Sequence, residues 1–174
     1  MRFKSDRLSF RLVNDDDFPY IYRLQSDPVT MHFIRPTVTE EAPVRERFAI
    51  WKKYAVENPG YGVLAIETVD NQHYIGYAVF RHLHFQPGNE VEIGYSIGKE
   101  HTGKGLATEA AKRLLQYGRE TLGIAKFVAY TNQLNLASNR VLEKCGFTCI
   151  RAEVVNNLDS FRWEIEFSAT HSSE

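Results

Sequence analysis

The sequence is short of cysteine, of net charge and of long apolar runs, and each shortage excludes a class of protein. Cys145 and Cys149 are its two cysteines. Two thiols are too few for a disulfide framework, and a spacing of four matches no common zinc or redox signature. They read as buried free thiols in a reducing compartment. The net charge is −1, so no basic excess argues for nucleic acid and no polybasic block argues for an anionic membrane. No run approaches the roughly 18 apolar residues of a membrane helix. The N-terminal MRFKSDRLSF lacks the apolar core of a signal peptide. A cytoplasmic protein is expected, with no membrane or nucleic-acid partner. Repeats, low-complexity segments and linkers are also missing, so residues 1–174 read as a single domain.

What is present is an alternation of strand and helix signals. Leu8 to Leu12 alternates as a strand. The run Asn14-Asp15-Asp16-Asp17 supplies cap chemistry for a helix through Phe18, Tyr22 and Leu24, ended by Asp27-Pro28. Thr37 to Glu41 offers a second cap, a threonine with acids behind it, and a helix through Phe48, Trp51 and Tyr54. Three strands are expected next: Tyr61 to Glu67, His73 to Leu83 with a bulge at Gly76, and Glu90 to Ile97. The turn signals Asp70-Asn71 and Gln86-Pro87-Gly88-Asn89 separate them as antiparallel hairpins. A long helix, a strand over Lys126 to Thr131 and a helix over Asn135 to Cys145 follow. Two last strands, Phe147 to Val154 and Ser160 to Phe167, turn at Asn156-Asn157, and the tail ATHSSE is polar. The expected fold class is α+β: a mixed, mostly antiparallel central sheet with flanking helices and one parallel crossover.

The chemistry gathers around EVEIGYSIGKEHTGKGLAT, Glu90 to Thr108. Val91, Ile93, Tyr95 and Ile97 take one face of a strand; Glu92, Gly94 and Ser96 take the other. Gly98, Gly103 and Gly105 then lead into a helix whose apolar positions are Ala107, Ala110, Ala111, Leu114, Leu115, Gly118 and Leu122. Small residues at a helix mouth leave backbone N–H groups open, and those donors together with the helix dipole bind phosphate. An anion, a pyrophosphate, is expected on the turn Thr102 to Thr108. The stretch nearly spells the ATPase loop G-x-x-x-x-G-K-[ST], but Gly105 stands where a metal-binding hydroxyl is needed. A purely structural strand-to-helix turn is the other reading of these glycines. Downstream, NLASNRVLEKCGF opens a helix with Asn135, Ser138 and Asn139 on one face. His82 and His84 alternate on one strand without an evident third ligand, so they read as surface or groove histidines and no metal is expected.

The pair GYSIGKEHTGKGLATEA and NLASNRVLEKCGF resembles the GNAT acyl-CoA N-acyltransferase superfamily, most of all its RimJ/RimL branch, and DPVTMHFIRPTVTEE resembles that branch too. The resemblance covers essentially the whole chain and implies the GNAT fold. It also implies acetyl-CoA as cosubstrate and direct transfer of the acetyl group to an amine. Pantetheine would pair with Tyr95, Ser96 and Ile97 in a gap between their strand and Lys126 to Thr131. The pyrophosphate would take N–H groups of Thr102, Gly103, Lys104, Gly105, Leu106, Ala107 and Thr108, while Asn135 and Asn139 would face the cofactor. The family pattern [QR]-x-x-G-x-[GA] falls on Thr102, Gly105 and Ala107, and Thr102 departs from it. Where many members carry a thiolate-protonating tyrosine this chain has Leu142, and the branch offers Ser138 instead.

An unperturbed thiol has a pKa near about 8.5, so the thiolate leaves without full protonation and Ser138 suffices as a hydrogen-bond donor. Glu92, on the polar strand face, is the candidate base for the amine, directly or through water. Each has a plain alternative: a helix-capping serine and a solvated strand glutamate. Lys104, Lys112 and Arg113 are candidates to meet the nucleotide phosphates. Met31, His32, Phe33, Arg35, Asn156 and Asn157 are candidates for the acceptor wall. A protein N-terminal α-amine is the expected acceptor, with a small amine (polyamine, amino acid or aminoglycoside) as runner-up. A non-catalytic CoA-binding protein is the rival from another class, and a homodimer is compatible with the family.

Overall fold

A computed structural model describes residues 1–83, 88 and 90–168. His84, three of the four residues of the predicted Gln86–Asn89 turn, and the ATHSSE tail lie outside the described residues. The chain forms β1 (Arg2–Lys4), β2 (Leu8–Leu12), α1 (Phe18–Ser26), α2 (Pro28–Met31), α3 (Glu41–Glu57), β3 (Gly62–Thr68), β4 (Tyr74–His82) and β5 (Val91–Ile97). Then come α4 (Leu106–Leu122), β6 (Lys126–Asn132), α5 (Leu136–Lys144), β7 (Thr148–Val155) and β8 (Leu158–Glu166). One sheet holds all eight strands in the order β1-β2-β3-β4-β5-β6-β8-β7. Every neighbouring pair is antiparallel except β5 with β6. The expected α+β fold is present.

Two apolar clusters cover the two faces of this sheet. On one face Phe10, Leu64, Ile66, Phe80 and Ile93 pack with Ala110, Ala111 and Leu114 of α4 and Leu142 of α5. On the other, Val63, Ala65, Tyr74 and Tyr77 pack with Ile21 of α1 and Val44, Phe48 and Trp51 of α3. Alternation along β3 and β4 therefore sends apolar side chains both ways, as a strand buried on both faces requires.

Local chemistry sets most boundaries. Asn14 and Asp17 cap each other around a short 3-10 turn ahead of α1. Asp27 accepts hydrogen bonds from the N–H groups of Val29 and Thr30 and so starts α2, a turn of helix absent from the sequence reading. The threonine cap expected for α3 does not form: the helix begins at Glu41, with Glu40 at its N-cap. Strand β1 is likewise absent from the sequence reading, because three residues with one inward Phe3 give too little alternation to read. The bulge expected at Gly76 falls one residue earlier. Ile66 pairs with Gly76 and Glu67 with Tyr74, which leaves Ile75 as the extra residue. Asn156 and Asn157 both take positive φ, +51° and +61°. That is the backbone of the two-residue hairpin turn the sequence suggests.

Candidate active site

The sheet is really two half-sheets held at one end. Strand β5 pairs with β4 along its whole length, and β6 pairs with β8 along its whole length. Between β5 and β6 just two registered pairs form, Val91 with Phe127 and Glu92 with Val128. Beyond Glu92 the strands diverge, and a cleft opens between Tyr95–Ile97 and the start of α5. Glu90 clamps the closed end. Its carboxylate meets Lys126 Nζ of β6 at 2.6 Å and Arg162 of β8 at 2.9 Å.

A cavity of about 480 Å³ occupies the α4 side of the cleft. Tyr95, Ser96 and Ile97 line it from β5; Thr102, Gly103, Gly105, Leu106, Ala107 and Thr108 from the turn; and Asn135 and Ser138 from the start of α5. The turn has the backbone of an anion cradle. Gly103 and Gly105 sit at φ +74° and +76°, a region L-residues rarely adopt. Gly105 is the N-cap of α4, and no side chain caps the helix. Its first N–H groups therefore remain open toward the cavity mouth. The departure at Thr102 leaves this intact, because its hydroxyl donates to the Lys99 carbonyl at 2.8 Å and the cradle is made of backbone.

Four expected contacts, Lys104, Lys112, Arg113 and Asn139, fall outside this lining. Lys104 turns its Nζ back to the Glu100 carbonyl at 3.0 Å. Asn139 is buried: Thr131 Oγ1 donates to its Oδ1 at 2.5 Å, and its Nδ2 donates to the Gln133 carbonyl at 3.2 Å. It braces β6 against α5 from behind the site. Arg113 donates to the Lys4 carbonyl at 2.6 Å and lies over the Phe3 ring, so it too is committed elsewhere. The cations that do line the cavity are Arg140 and Lys144. Their spacing of four on α5, in phase with Ala137 and Val141, is the signal that finds them.

Asn135 does what a helix-start asparagine ordinarily does: its Oδ1 accepts the Ser138 N–H at 3.1 Å. Ser138 is also joined to β5. Its hydroxyl and that of Tyr95 are hydrogen-bonded at 2.9 Å across the cleft. Burial pushes the Tyr95 phenol up to about 12, against a smaller lowering from the Ser138 hydrogen bond.

A second cavity, about 460 Å³, opens on the opposite side of the sheet and shares Phe33, Ile34, Tyr95, Ser96 and Asn135 with the first. Glu92 lines it. Arg81 Nε donates to Glu92 Oε2 at 2.9 Å, so the carboxylate is oriented by a cross-strand partner. Phe33, Arg35 and Asn156 line this cavity as the sequence suggests. Met31 instead is fully buried and His32 is exposed. Tyr77, Trp51, Tyr130, Val154 and Leu158 complete the apolar part of the wall. His82 is structural: the Tyr54 hydroxyl accepts its backbone N–H at 2.9 Å and bonds Nδ1 at 2.8 Å, and burial lowers its pKa. Among the described residues no His, Cys, Asp or Glu cluster is arranged to hold a metal ion.

Comparison with known proteins agrees with this geometry. The family model described as the acetyltransferase (GNAT) domain matches residues 7–148. The uncharacterized N-acetyltransferase YoaA of Bacillus subtilis is 31% identical over 149 residues, covering 83% of this chain and 81% of that one. Among solved structures, RimL, the ribosomal L7/L12 α-N-protein acetyltransferase in complex with coenzyme A, superposes with a TM-score of 0.82. It has 19% identity over 97% of this chain and 99% of that one. The spermidine N-acetyltransferase of Vibrio cholerae, in complex with CoA and spermine, gives a TM-score of 0.77. Its identity is 20% over 95% and 98% of the two chains. A split parallel strand pair beside an uncapped, glycine-entered helix is thus joined to a family match over most of the sequence, and the chain belongs to the GNAT family of acetyltransferases.

Proposed function

We propose that the protein transfers an acetyl group from acetyl-CoA to an α-amine, and that the N-terminus of a protein or peptide is the preferred acceptor. One observation carries this reading. Two cavities on opposite sides of the sheet meet at Tyr95, Ser96 and Asn135, at the open end of the β5–β6 cleft. A donor arm reaching through one side would bring its reactive end to an acceptor entering from the other.

The residues fit the donor. The open N–H groups around Gly103–Thr108 suit a pyrophosphate, with Arg140 and Lys144 supplying positive charge at the rim. The free edge of β5 over Tyr95–Ile97 offers main-chain donors and acceptors to the two amides of pantetheine. Acetyl-CoA supplies a thioester, whose carbon accepts the amine and whose sulfur leaves. Ser138 Oγ, held by Tyr95, donates toward developing negative charge on sulfur. Glu92, held by Arg81, receives the amine proton directly or through a water. An α-amine, with a pKa near about 7.7–8.0, needs far less help than a lysine-like amine near about 10.4.

The wall of the acceptor cavity favours this acceptor over a polyamine such as the spermine seen with the Vibrio cholerae relative. Its carboxylates are already engaged, Glu92 by Arg81 and Glu153 by Arg151 at 2.7 Å. A polycation needs unpaired carboxylates.

The test is thermal unfolding with acetyl-CoA and with Mg-ATP side by side. A ligand at 100 times its dissociation constant stabilises the native state by about 2.7 kcal/mol, or about 5–10 °C in Tm for a domain of this size. Acetyl-CoA alone is expected to produce the shift, followed by CoA release when N-terminal peptides are added. A shift with ATP alone, or acetyl-CoA binding without turnover of any amine, sinks the transferase reading.

A further inference from the structure

The acceptor side holds more positive charge than its partners account for. Arg35 lines the second cavity, and its Nε–H is buried without a hydrogen-bond partner among the described residues. Arg47, from α3, lies close enough that the two guanidiniums repel. Burial first, and then Arg35, lower the Arg47 pKa. Neither arginine is ion-paired with a carboxylate among the described residues, whereas Arg81, Arg151 and Arg162 each are. Arg47 donates to Gln25 Oε1, which leaves Gln25 Nε2, fully buried, as a second donor without an acceptor. Ser96, on the shared wall of the two cavities, has a buried Oγ with no hydrogen bond of ordinary geometry, and the buried Tyr77 hydroxyl lies beside it, beside Gln25 and near both arginines.

Positive charge therefore accumulates at one point where the neutral Tyr77 hydroxyl and Gln25 amide are the neighbours and no carboxylate pairs with it among the described residues. Half-burying two neighbouring guanidiniums without a counter-charge is costly. The cost is removed when an anion arrives.

We infer that the acceptor carries a carboxylate, bound by Arg35 with Ser96 beside it and Arg47 and Gln25 behind. The inference rests on the acetyltransferase reading and narrows its substrate class. The ligand is an amine bearing an anionic group a short distance from its nitrogen. Its carboxylate belongs to the α-carboxyl of a free amino acid or to the side chain of an acidic residue near a peptide N-terminus. Phe33, Trp51 and Tyr130 line the same cavity and would cover the apolar part of such a molecule.

The experiment measures kcat/KM with acetyl-CoA for matched acceptors: L-amino acids against their amides, and peptide amides with Asp or Glu against the same peptides with Asn or Gln. Hydrogen bonds to a charged group contribute about 1.5–3 kcal/mol, so the acid of at least one pair is expected to be favoured by about 10- to 100-fold. The pair that discriminates identifies which carboxylate is read. In Arg35→Gln the preference collapses toward one while acetyl-CoA still raises Tm. In Arg45→Gln, an exposed arginine near Arg47 on α3 but paired with Glu41, it persists. Calorimetric titration with the N-acetylated acids and amides reads the same discrimination without the donor. Equal use of acid and amide in both series, or a preference that survives Arg35→Gln, overturns the inference. Loss of acetyl-CoA stabilisation in the wild-type protein instead overturns the donor reading, with the titration still deciding the carboxylate.

Discussion

The pair Tyr95–Ser138 shows how the role proposed for a single residue depends on a neighbour far away in sequence. A serine hydroxyl alone is a weak, freely rotating donor. Bonded to a buried phenol whose pKa lies near 12, it has a fixed direction and a partner that keeps its proton at neutral pH. Tyr95→Phe keeps the ring and removes the bond. A neutral hydrogen bond is worth about 1 kcal/mol, so steady-state assays are expected to show kcat lower by about fivefold with little change in KM for acetyl-CoA. Ser138→Ala is expected to lower kcat at least as much, and the double variant no further than the worse single one. Additive losses would show that the two hydroxyls act separately. Ser138 was legible in sequence from its helix position, whereas its link to Tyr95 was not. Their separation of 43 positions carries no signal of contact.

Among elements, α4 is the one the site depends on, since its N-terminus forms the turn and its body fixes the turn's position. Gly118 makes that position possible. A Cβ there would lie 2.6 Å from the ring of Phe127, itself fully buried on β6. The helix rests directly on the strand pair that holds the cleft shut at one end. Gly118→Ala is expected to destabilise by about 1–3 kcal/mol through overpacking, read as a Tm lower by several degrees. An unchanged Tm would mean that the helix shifts freely, and weaker acetyl-CoA binding would then be the symptom to seek. The helix itself was plain from its apolar spacing. What the spacing hid was the reason for a glycine in mid-helix: it counts as a small apolar position, while the ring it accommodates lies on β6, nine residues along the chain.

At the scale of the whole molecule, the two half-sheets share one apolar cluster and are joined at the closed end of the cleft by two backbone pairs and one ionic cluster. Lys126 and Arg162 hold the Glu90 carboxyl below its ordinary value of 4.5, against a smaller effect of burial. Glu164 is lowered too: burial pushes it up, but hydrogen bonds from Arg162 and Lys126 outweigh that. The folded values lie below the unfolded ones, so the stability they contribute is present above about pH 4.5 and is lost as pH falls through the folded values. Glu90→Gln is expected to lower stability at neutral pH and to flatten the loss on acidification, followed by urea unfolding from pH 7 down to about pH 3. Parallel unfolding curves at every pH would show that the cluster does not join the halves. Arg162 is buried and accepts this position through Glu90, Glu164 and the Tyr130 hydroxyl at 2.8 Å.

The sequence by itself determined what local rules govern: the alternation of β5, the glycines of a helix mouth, the apolar face of α4, the asparagine cap of α5 and the Asn156-Asn157 turn. Those signals depend on neighbours within about one or two helical turns, and they were sufficient to suggest the fold class and the anion cradle. Tertiary structure alone decided the rest. The divergence of β5 from β6 follows from which partner each strand keeps along its length. Asn139 faces inward because Thr131 and the Gln133 carbonyl satisfy it there. Lys104 leaves the site and Arg140 enters it because direction on a surface, rather than charge, selects the residues that line a cavity. That Arg35 and Arg47 lie together without a carboxylate partner among the described residues is visible only in the tertiary structure. Long-range contacts set all of these, and no pattern along the chain encodes them.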